Sequence, residues 1–243
     1  MRAIVLAAGT GSRLGEITKA RTKGMVPVNG KPLIDWLLEF LDLDFFDEVI
    51  VVGGFFFEDL RDHIRGKDYP KVRVIENPDY LKGNIFTLKR GLAEFSGDSF
   101  LITNVDHVYP RMMFDRLKLA LEGVTAMCDF DRNLGADDMK VKLRGDGRSV
   151  SAISKQLAEF DCGYIGMTYV DALKEKLYRE TVERAVERFG EKAVAENVLQ
   201  MLAEDAKTAP VICDLSGIGW YEIDTPDELR SAEKLLRSDG HFR

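Results

Sequence analysis

The sequence predicts an α/β fold with a doubly wound, mostly parallel sheet that continues into a mixed-sheet region. Three observations support this prediction. Short apolar runs alternate with amphipathic helical patterns up to residue 104, glycines follow the first run directly, and closely spaced strand-like runs begin at residue 124. Strands that alternate with helical patterns form βαβ units and hence a parallel sheet, whereas strands joined by short turns indicate a mixed sheet.

The elements of the first half are assigned from their periodicity. Short apolar runs indicate strands, and apolar residues three and four positions apart indicate helices. Pro32 begins the first helical stripe, because proline fits the first turn of a helix. The predicted strands are Ala3–Ala7, Glu48–Val52, Lys71–Ile75 and Ser99–Asn104, and the predicted helices are Pro32–Leu43, Phe57–Ile64 and Gly83–Phe95.

The second half changes character after residue 123. Its predicted strands are Val124–Phe130, Met139–Leu143, Val150–Lys155 and Cys162–Tyr169, followed by amphipathic helices over Val170–Arg188 and Lys192–Ala203, a strand pair of Val211–Leu215 with Trp220–Ile223, and a final helix over Pro226–Leu236. No repeat or Pro/Ser-rich linker divides the chain. We therefore expect one domain, residues 1–243, with lobes over 1–122 and 123–243.

Composition excludes several classes of function. A net charge of −7 argues against broad nucleic-acid binding, which needs a positive surface. No run approaches the roughly 18 apolar residues of a membrane span, so we expect no membrane contact from this chain. The N-terminus lacks a signal-peptide cleavage pattern, and three cysteines without CxxC spacing indicate free thiols in a reducing cytoplasm.

The glycine-rich turn after the first strand is a candidate phosphate-binding loop. It reads Leu6-Ala7-Ala8-Gly9-Thr10-Gly11-Ser12-Arg13. Glycines allow backbone N–H groups to approach phosphate oxygens, and Arg13 adds a forked cation. Ligands of doubly wound sheets bind at the carboxyl ends of the strands. The alternative is a tight strand-to-helix turn that binds nothing.

Two other phosphate-binding motifs fit less well. A dinucleotide-binding unit expects an acidic residue near the end of the second strand, which here reads Val51-Val52-Gly53-Gly54. A Walker A loop, GxxxxGK[ST], is absent. The segment after the glycines instead carries Lys19, Arg21 and Lys23, a cationic loop that suits a triphosphate.

Lys23 lies in Thr22-Lys23-Gly24-Met25-Val26-Pro27-Val28-Asn29-Gly30-Lys31-Pro32-Leu33. The glycine loop, its arginine, this lysine and the turn that follows resemble the sugar-nucleotidyltransferase family, whose signature is G-x-G-x-R followed by Pro-Lys. Within it the chain is most similar to CTP:inositol-1-phosphate cytidylyltransferases, then to phosphocholine cytidylyltransferases. Thr22 departs from the usual proline, which changes backbone rigidity but not the charge of the lysine.

The resemblance implies a Rossmann-like nucleotidyltransferase sheet with catalytic roles for Arg13 and Lys23. It also implies Mg²⁺ held by Asp106, which follows the strand that ends at Asn104, and by Asp224. Mg²⁺ is usually held by one or two carboxylates together with phosphates and water. The alternatives are a solvated loop acid for Asp106 and a helix N-cap for Asp224. His107 is left out, because a lone histidine more often packs or hydrogen-bonds.

Further contacts are expected by position. Gly83 and Asn84 open a helix and match nucleotide contacts of the family, although Asn84 also fits an ordinary N-cap. Lys142 and Lys155 are candidate ligands of the acceptor phosphate, and exposed lysines without a specific role are the alternative. The stretch around Gly163 resembles the family's acceptor-side strand, and the resemblance implies that this glycine lets the acceptor approach. Residues 1–122 would thus bind the nucleotide, and residues 123–243 would bind the acceptor and close the fold.

The resemblance implies transfer of a cytidylyl group from CTP to inositol 1-phosphate, giving CDP-inositol and pyrophosphate. Other substrates stay open: a sugar 1-phosphate with UTP or dTTP, or phosphocholine with CTP. A nucleotide-sensing domain without catalysis is the alternative of another class, although such a domain need not retain Arg13, Lys23, Asp106 and Asp224 together. Some relatives are fused to a membrane CDP-alcohol phosphotransferase, so the chain is either a stand-alone protein or an excised domain coupled to one. The sequence does not predict the oligomeric state. Loss of Lys23 should lower the rate of nucleotidyl transfer while the fold stays intact.

Overall fold

A computed structural model describes residues 1–41, 43–238 and 240–242 of the chain. The strands are β1 Arg2–Ala7, β2 Pro27–Val28, β3 Lys31–Pro32, β4 Glu48–Gly53, β5 Val72–Glu76, β6 Phe100–Asn104, β7 His107–Val108, β8 Val124–Asp129, β9 Lys140–Leu143, β10 Val150–Ser154, β11 Cys162–Val170, β12 Val211–Asp214 and β13 Tyr221–Glu222. The α-helices are α1 Leu33–Phe40, α2 Phe57–Arg65, α3 Asn84–Leu92, α4 Arg111–Leu117, α5 Glu175–Phe189, α6 Glu196–Ala203 and α7 Pro226–Ser238. None of the helices described is both long enough and apolar enough to cross a bilayer.

The parallel part of the sheet has the order β5-β4-β1-β6. Chain order reverses between β1 and β6, so the crevice at their carboxyl ends is the place where a doubly wound sheet binds ligands. The glycine loop follows β1 and Asp106 follows β6, so both predicted segments open into this crevice. The predicted doubly wound α/β fold is confirmed.

The mixed part of the sheet is organised around β11. This strand pairs antiparallel with β6, β8 and β9, β10 continues from β9, and β12 joins β8 in parallel. The register of β11 against β8 shifts between Tyr164 and Thr168, and Gly166 within the shift has φ +78°. Such a bulge bends the strand and redirects its side chains. The bulge lies beside the crevice at the end of β6.

Alternate residues of the central strands face different helices. Ile4 and Leu6 of β1 pack in a core with α3, α5 and α6, whereas Ala3 and Val5 pack in a second core with α1, α2 and α4. This pattern follows from the two-residue period of a strand, and a parallel sheet is covered on both faces. A third cluster lies under the glycine loop and includes Leu14 together with Ile223 and Leu236.

Three features of the chain beyond residue 110 differ from the sequence-based prediction. The helix predicted from Val170 begins at Glu175, because Val170 still pairs in β11 and Asp171 then makes a turn in which its side chain accepts the N–H of Lys174 at 2.8 Å. The strands β12 and β13 pair with β8 and β7 rather than with each other. Helix α4 was not predicted. The three cysteines are buried and free, as expected.

The centre of β6 offers a test of the core. Leu101 is 0% exposed, so Leu101→Ala should lower the free energy of unfolding by about 3 kcal/mol through loss of burial and a residual cavity. Equilibrium urea unfolding measures this change. Leu119→Ala, at a side chain that is 88% exposed, is the control and should change stability by less than about 0.5 kcal/mol. Equal effects of the two changes would contradict the packing described for β6.

Candidate active site

The glycine loop turns sharply after β1 and brings Lys23 back against it. Gly11 has φ +63°, and its carbonyl accepts the N–H of Leu14 at 2.9 Å at the start of a 3₁₀ helix, Ser12–Thr18. A Cβ at Gly11 would lie 3.0 Å from the Thr18 methyl and 3.2 Å from Cβ of Lys23. Glycine therefore serves both the left-handed turn and the close approach of the lysine.

Thr22 stands where the family usually has proline, and its backbone has a conformation that proline could also adopt. Its φ of −67° is the value that proline would impose. The side chain is fully buried, and its hydroxyl donates to the Ala7 carbonyl at 3.5 Å, a long hydrogen bond. Contacts with β1 thus hold the segment that proline would otherwise stiffen, and Lys23 keeps its place.

Asp224 is held at the site by β13 and the start of α7. Ile223 donates its N–H to the Asp106 carbonyl at 2.9 Å, which joins the two segments. Glu228 accepts the N–H groups of Asp224 and Thr225 at 2.9 and 2.8 Å, and the Thr225 hydroxyl accepts the N–H of Glu228 at 3.3 Å. This reciprocal arrangement is a capping box. Thr225 therefore caps α7, and the carboxylate of Asp224 is left for other partners.

The four residues predicted for catalysis and metal binding form one charged cluster. The Lys23 ammonium donates to Asp106 at 2.7 Å and also to Asp224. Arg13 pairs with Asp224 at 2.5 Å and with Asp137 at 3.8 Å. Lys23 and Asp224 are each 7% exposed, so these two charges are desolvated as well as close, whereas Arg13 is half exposed.

This environment shifts the proton affinities of the cluster. Burial lowers the pKa of Lys23, but the two aspartates outweigh it and the pKa is raised. Burial raises the pKa of Asp106, but Lys23 and His107 outweigh it and the pKa lies well below its usual value. The lysine is therefore held as an ammonium and Asp106 as a carboxylate.

His107, which sequence analysis left out, belongs to the site. Its ring packs against those of Tyr109 and Trp220, each 5.4 Å away between centroids, and these two rings lie 6.5 Å from each other. Its Nδ1 lies 2.6 Å from Asp106 Oδ1. Burial lowers the pKa of His107, but Asp106 and Glu222 outweigh it and the pKa is raised. The stack fixes the ring against the carboxylate.

The donor set is suited to a divalent cation. Asp106 and Asp224 already share one cation, the Lys23 ammonium, and ligand atoms of Asp106, His107 and Glu222 lie within 4.8 Å of one another. Carboxylate oxygens are the protein ligands that Mg²⁺ prefers. Two carboxylates and an imidazole thus lie within reach of one ion, and Asp224 adjoins them through Lys23.

Two adjoining cavities flank the cluster and share Asn84, Asn104 and Asp106. The smaller, of about 130 Å³, is lined by Leu6, Ala8, Gly9, Lys23, Asn84, Thr87, Asn104, Val105 and Asp106. The larger, of about 200 Å³, is lined by Arg13, Asn84, Asn104, Asp106, His107, Asp137, Asp138, Met139, Lys155, Tyr164, Gly166, Val194, Glu196 and Glu222. We call them the loop cavity and the β11 cavity. A cavity of about 570 Å³ beside α1 includes none of the predicted site residues.

The predicted contacts divide into those that line a cavity and those that do not. Leu6, Ala8, Gly9 and Asn84 line the loop cavity, and Lys155 lines the β11 cavity. The predicted contacts that line neither are Ala7, Thr10, Gly11, Ser12, Gly83, Lys142 and Gly163. The structure thus brings five of the predicted contacts to the cavities, together with Arg13, Lys23 and Asp106.

Three of the residues outside the cavities have structural neighbours instead. Lys142 Nζ lies 3.1 Å from Asp161 Oδ1. A Cβ at Gly163 would lie 2.7 Å from Leu134, and one at Gly83 would lie 1.9 Å from the Ala193 carbonyl oxygen. The glycine at the β11 cavity is Gly166, where a Cβ would lie 2.9 Å from the His107 ring.

Sequence reasoning missed several residues that line the β11 cavity. Asn104 is the last residue of β6, so its place at the crevice could have been found from the strand end alone. Tyr164, Glu196 and Glu222 carry no such local signal, because each is brought there by a bulge, a helix start or a strand pairing distant in sequence.

Comparison with known proteins agrees with this geometry. The model of the MobA-like NTP transferase domain matches residues 3–203. The chain belongs to this family. The prediction of a nucleotidyltransferase is confirmed, as is the resemblance to inositol-1-phosphate cytidylyltransferases.

Relatives of this NTP transferase have different substrates in their names. This chain is 31% identical over 236 residues to a bifunctional IPC transferase and DIPP synthase of Rubrobacter xylanophilus, and the match covers 96% of this chain and 51% of the relative. It is 27% identical to a choline-phosphate cytidylyltransferase of Streptococcus pneumoniae, covering 99% of this chain and 100% of that protein. The inositol-1-phosphate CTP transferase structure from T. maritima superimposes with a TM-score of 0.79 at 19% identity, covering 96% of each chain. The chain thus spans about half the length of the bifunctional relative.

Proposed function

We propose that this NTP transferase joins CTP to inositol 1-phosphate, giving CDP-inositol and pyrophosphate. The observation that carries nucleotidyl transfer is the convergence of Arg13, Lys23, Asp106 and Asp224 at the carboxyl ends of β1 and β6, beside two adjoining cavities. The names of the relatives support the choice of CTP and inositol 1-phosphate.

In the proposed reaction a phosphate oxygen of inositol 1-phosphate attacks the α-phosphorus of CTP. The new P–O bond forms as the bond from the α-phosphorus to the bridging oxygen breaks, and pyrophosphate leaves with that electron pair. The nucleophile is already an anion, so no general base is needed. The barrier comes from bringing anions together in line, which positioned charges lower.

Different residues would bind the two substrates, neutralise their charge and hold the metal ion. The loop cavity, lined by Leu6, Ala8 and Gly9, takes the nucleotide, and the β11 cavity takes the acceptor. Lys23 and Arg13 neutralise charge on the triphosphate and the developing pyrophosphate. Asp106 and Asp224 would hold Mg²⁺, with His107 and Glu222 beside Asp106. When bound, the ion supplies positive charge to the reacting phosphates.

Three alternatives stay open, and one of them has an observation in its favour. The choline-phosphate cytidylyltransferase relative, matched over its full length, favours phosphocholine as the acceptor. A quaternary ammonium calls for an aromatic cage, however, and the only rings among the described residues of the β11 cavity are Tyr164 and His107. A sugar 1-phosphate with UTP or dTTP keeps the same chemistry. A nucleotide sensor without catalysis is the rival of another class.

Pyrophosphate release tests the proposal. CTP, UTP, dTTP, ATP and GTP would each be combined with inositol 1-phosphate, glucose 1-phosphate and phosphocholine in the presence of Mg²⁺. We expect release with CTP plus inositol 1-phosphate, and loss of release when EDTA removes the metal. Release with another pair would contradict the substrates but keep the chemistry. If no pair released pyrophosphate while a nucleotide still bound, catalysis would be contradicted and the nucleotide sensor would be favoured.

A further inference from the structure

A carboxylate that forms no hydrogen bond or ion pair with another described residue lies in the wall of the β11 cavity. It belongs to Glu196, the first residue of α6. Among the described residues its only hydrogen-bond partner is its own backbone N–H. Burial raises the pKa of this carboxyl group. Glu196 is partly exposed to this cavity, so its carboxylate is available to a hydrogen-bond donor that enters from outside the chain.

The place of Glu196 is fixed by contacts between two segments that are distant in sequence. Gly83 donates its N–H to the Glu191 carbonyl at 2.6 Å, and Ala195 donates its N–H to the side chain of Asn84 at 2.8 Å. These bonds attach the segment before α6 to the start of α3. They bring Glu196 into the same cavity as Asn84, which also lines the loop cavity.

The polar groups around Glu196 complement one another. The positive charge of Lys155 favours the ionised form of Glu196, although the two side chains form no ion pair within 4.0 Å. Asn104 contributes an amide to the same cavity. The cavity therefore offers a carboxylate that only accepts hydrogen bonds beside an ammonium and an amide that donate them. A hydroxyl group both donates and accepts, so a molecule with neighbouring hydroxyls matches this set.

Other acceptor chemistries match it less well. The rings of the cavity are already engaged, since the Tyr164 hydroxyl lies 2.8 Å from Thr168 Oγ1 and His107 bonds Asp106. They do not form a cage for a quaternary ammonium. A primary ammonium would satisfy Glu196 but would meet Lys155 as a like charge.

We propose that Glu196 determines acceptor specificity by accepting hydrogen bonds from hydroxyl groups of a polyol phosphate. This inference rests on the proposed nucleotidyl transfer and names the acceptor class of the same site. Asn104 and Lys155 donate to the oxygens of the acceptor from the neighbouring walls. The loop cavity is not involved, so nucleotide binding is independent of Glu196.

Kinetics of Glu196→Ala and Glu196→Gln test this role. With inositol 1-phosphate, Glu196→Ala should lower kcat/KM about 10- to 100-fold, the range for a lost hydrogen bond to a charged group, and Glu196→Gln should lose less because its amide oxygen still accepts. With ethyl phosphate, which has no further hydroxyl, wild type and variants should have equal kcat/KM. With phosphoethanolamine, both variants should likewise match the wild type.

The controls separate this role from misfolding and from failure of the proposed function. Glu204→Gln, at an exposed carboxylate just beyond the other end of α6, should match the wild type. Unchanged CTP affinity by calorimetry would show that the variants are folded. Wild-type kcat/KM in Glu196→Ala with inositol 1-phosphate would overturn the specificity role alone. Equal large losses of both variants with phosphoethanolamine would overturn it in favour of an ammonium ligand. An inactive wild type would contradict the proposed function itself.

Discussion

Lys23→Met should lower the rate of nucleotidyl transfer about 10²- to 10³-fold, the loss that follows removal of one positioned charge stabiliser. Methionine keeps most of the volume of the lysine but carries no ammonium. The change also leaves Asp106 and Asp224 facing each other without the cation they share. Pyrophosphate release at saturating CTP measures the rate.

The same variant should be less stable. Removal of one partner from a buried ion pair costs about 3–5 kcal/mol because it leaves uncompensated charge. Urea unfolding in EDTA measures this loss. The sequence predicts the loss of rate with an intact fold; the burial of Lys23 adds the loss of stability.

Lys19→Met is the matched control for Lys23→Met. Lys19 lies in the same cationic segment, but its side chain is 68% exposed and pairs with the exposed Glu16. Neither rate nor stability should change measurably, since exposed ion pairs contribute little. If Lys23→Met kept the wild-type rate, the catalytic role of the cluster would be wrong.

Gly83→Ala should lower the free energy of unfolding by about 4 kcal/mol or more. The added Cβ would lie 1.9 Å from the carbonyl oxygen and 2.8 Å from the carbonyl carbon of Ala193, so backbone would have to move away from backbone. Losses of this size come from a few mechanisms, of which overpacking is one. Urea unfolding again provides the measurement.

Any folded fraction of Gly83→Ala should also bind the acceptor poorly. The clash would separate α3 from the segment that leads to Glu196, so KM for inositol 1-phosphate should rise more than KM for CTP. Gly145→Ala is the control, because a Cβ at this exposed turn residue would meet nothing within 4 Å. Wild-type stability and KM in Gly83→Ala would show that the two segments are not in contact as described.

Much of the candidate site was predictable because its signals are local. The glycine loop, Arg13 and Lys23 lie within one stretch of sequence, and Asp106 follows an apolar strand whose carboxyl end opens into the crevice of the sheet. The N-cap alternative for Asp224 is resolved by the structure, because the capping box uses Thr225 and Glu228.

Other features of the chain depend on pairing between distant segments, which local patterns do not reveal. The spacing of apolar residues predicted a helix that begins at Val170, but this residue pairs with β6 and is therefore part of β11. Lys142 had a suitable charge on a suitable strand, yet Asp161 takes up its ammonium. The register shift that puts Gly166 at the β11 cavity cannot be predicted from the residue pattern of the strand.

By itself the sequence determined the α/β class, the order of nearly all elements and the charged residues proposed for catalysis. These depend on periodicity and on short motifs, which are properties of neighbouring residues. Only the tertiary structure decided that Lys23 joins Asp106 to Asp224, that His107 contacts Asp106, and that Glu196 lines the β11 cavity. These relations join segments far apart in the chain, and strand pairing and packing, rather than local preference, bring such segments together.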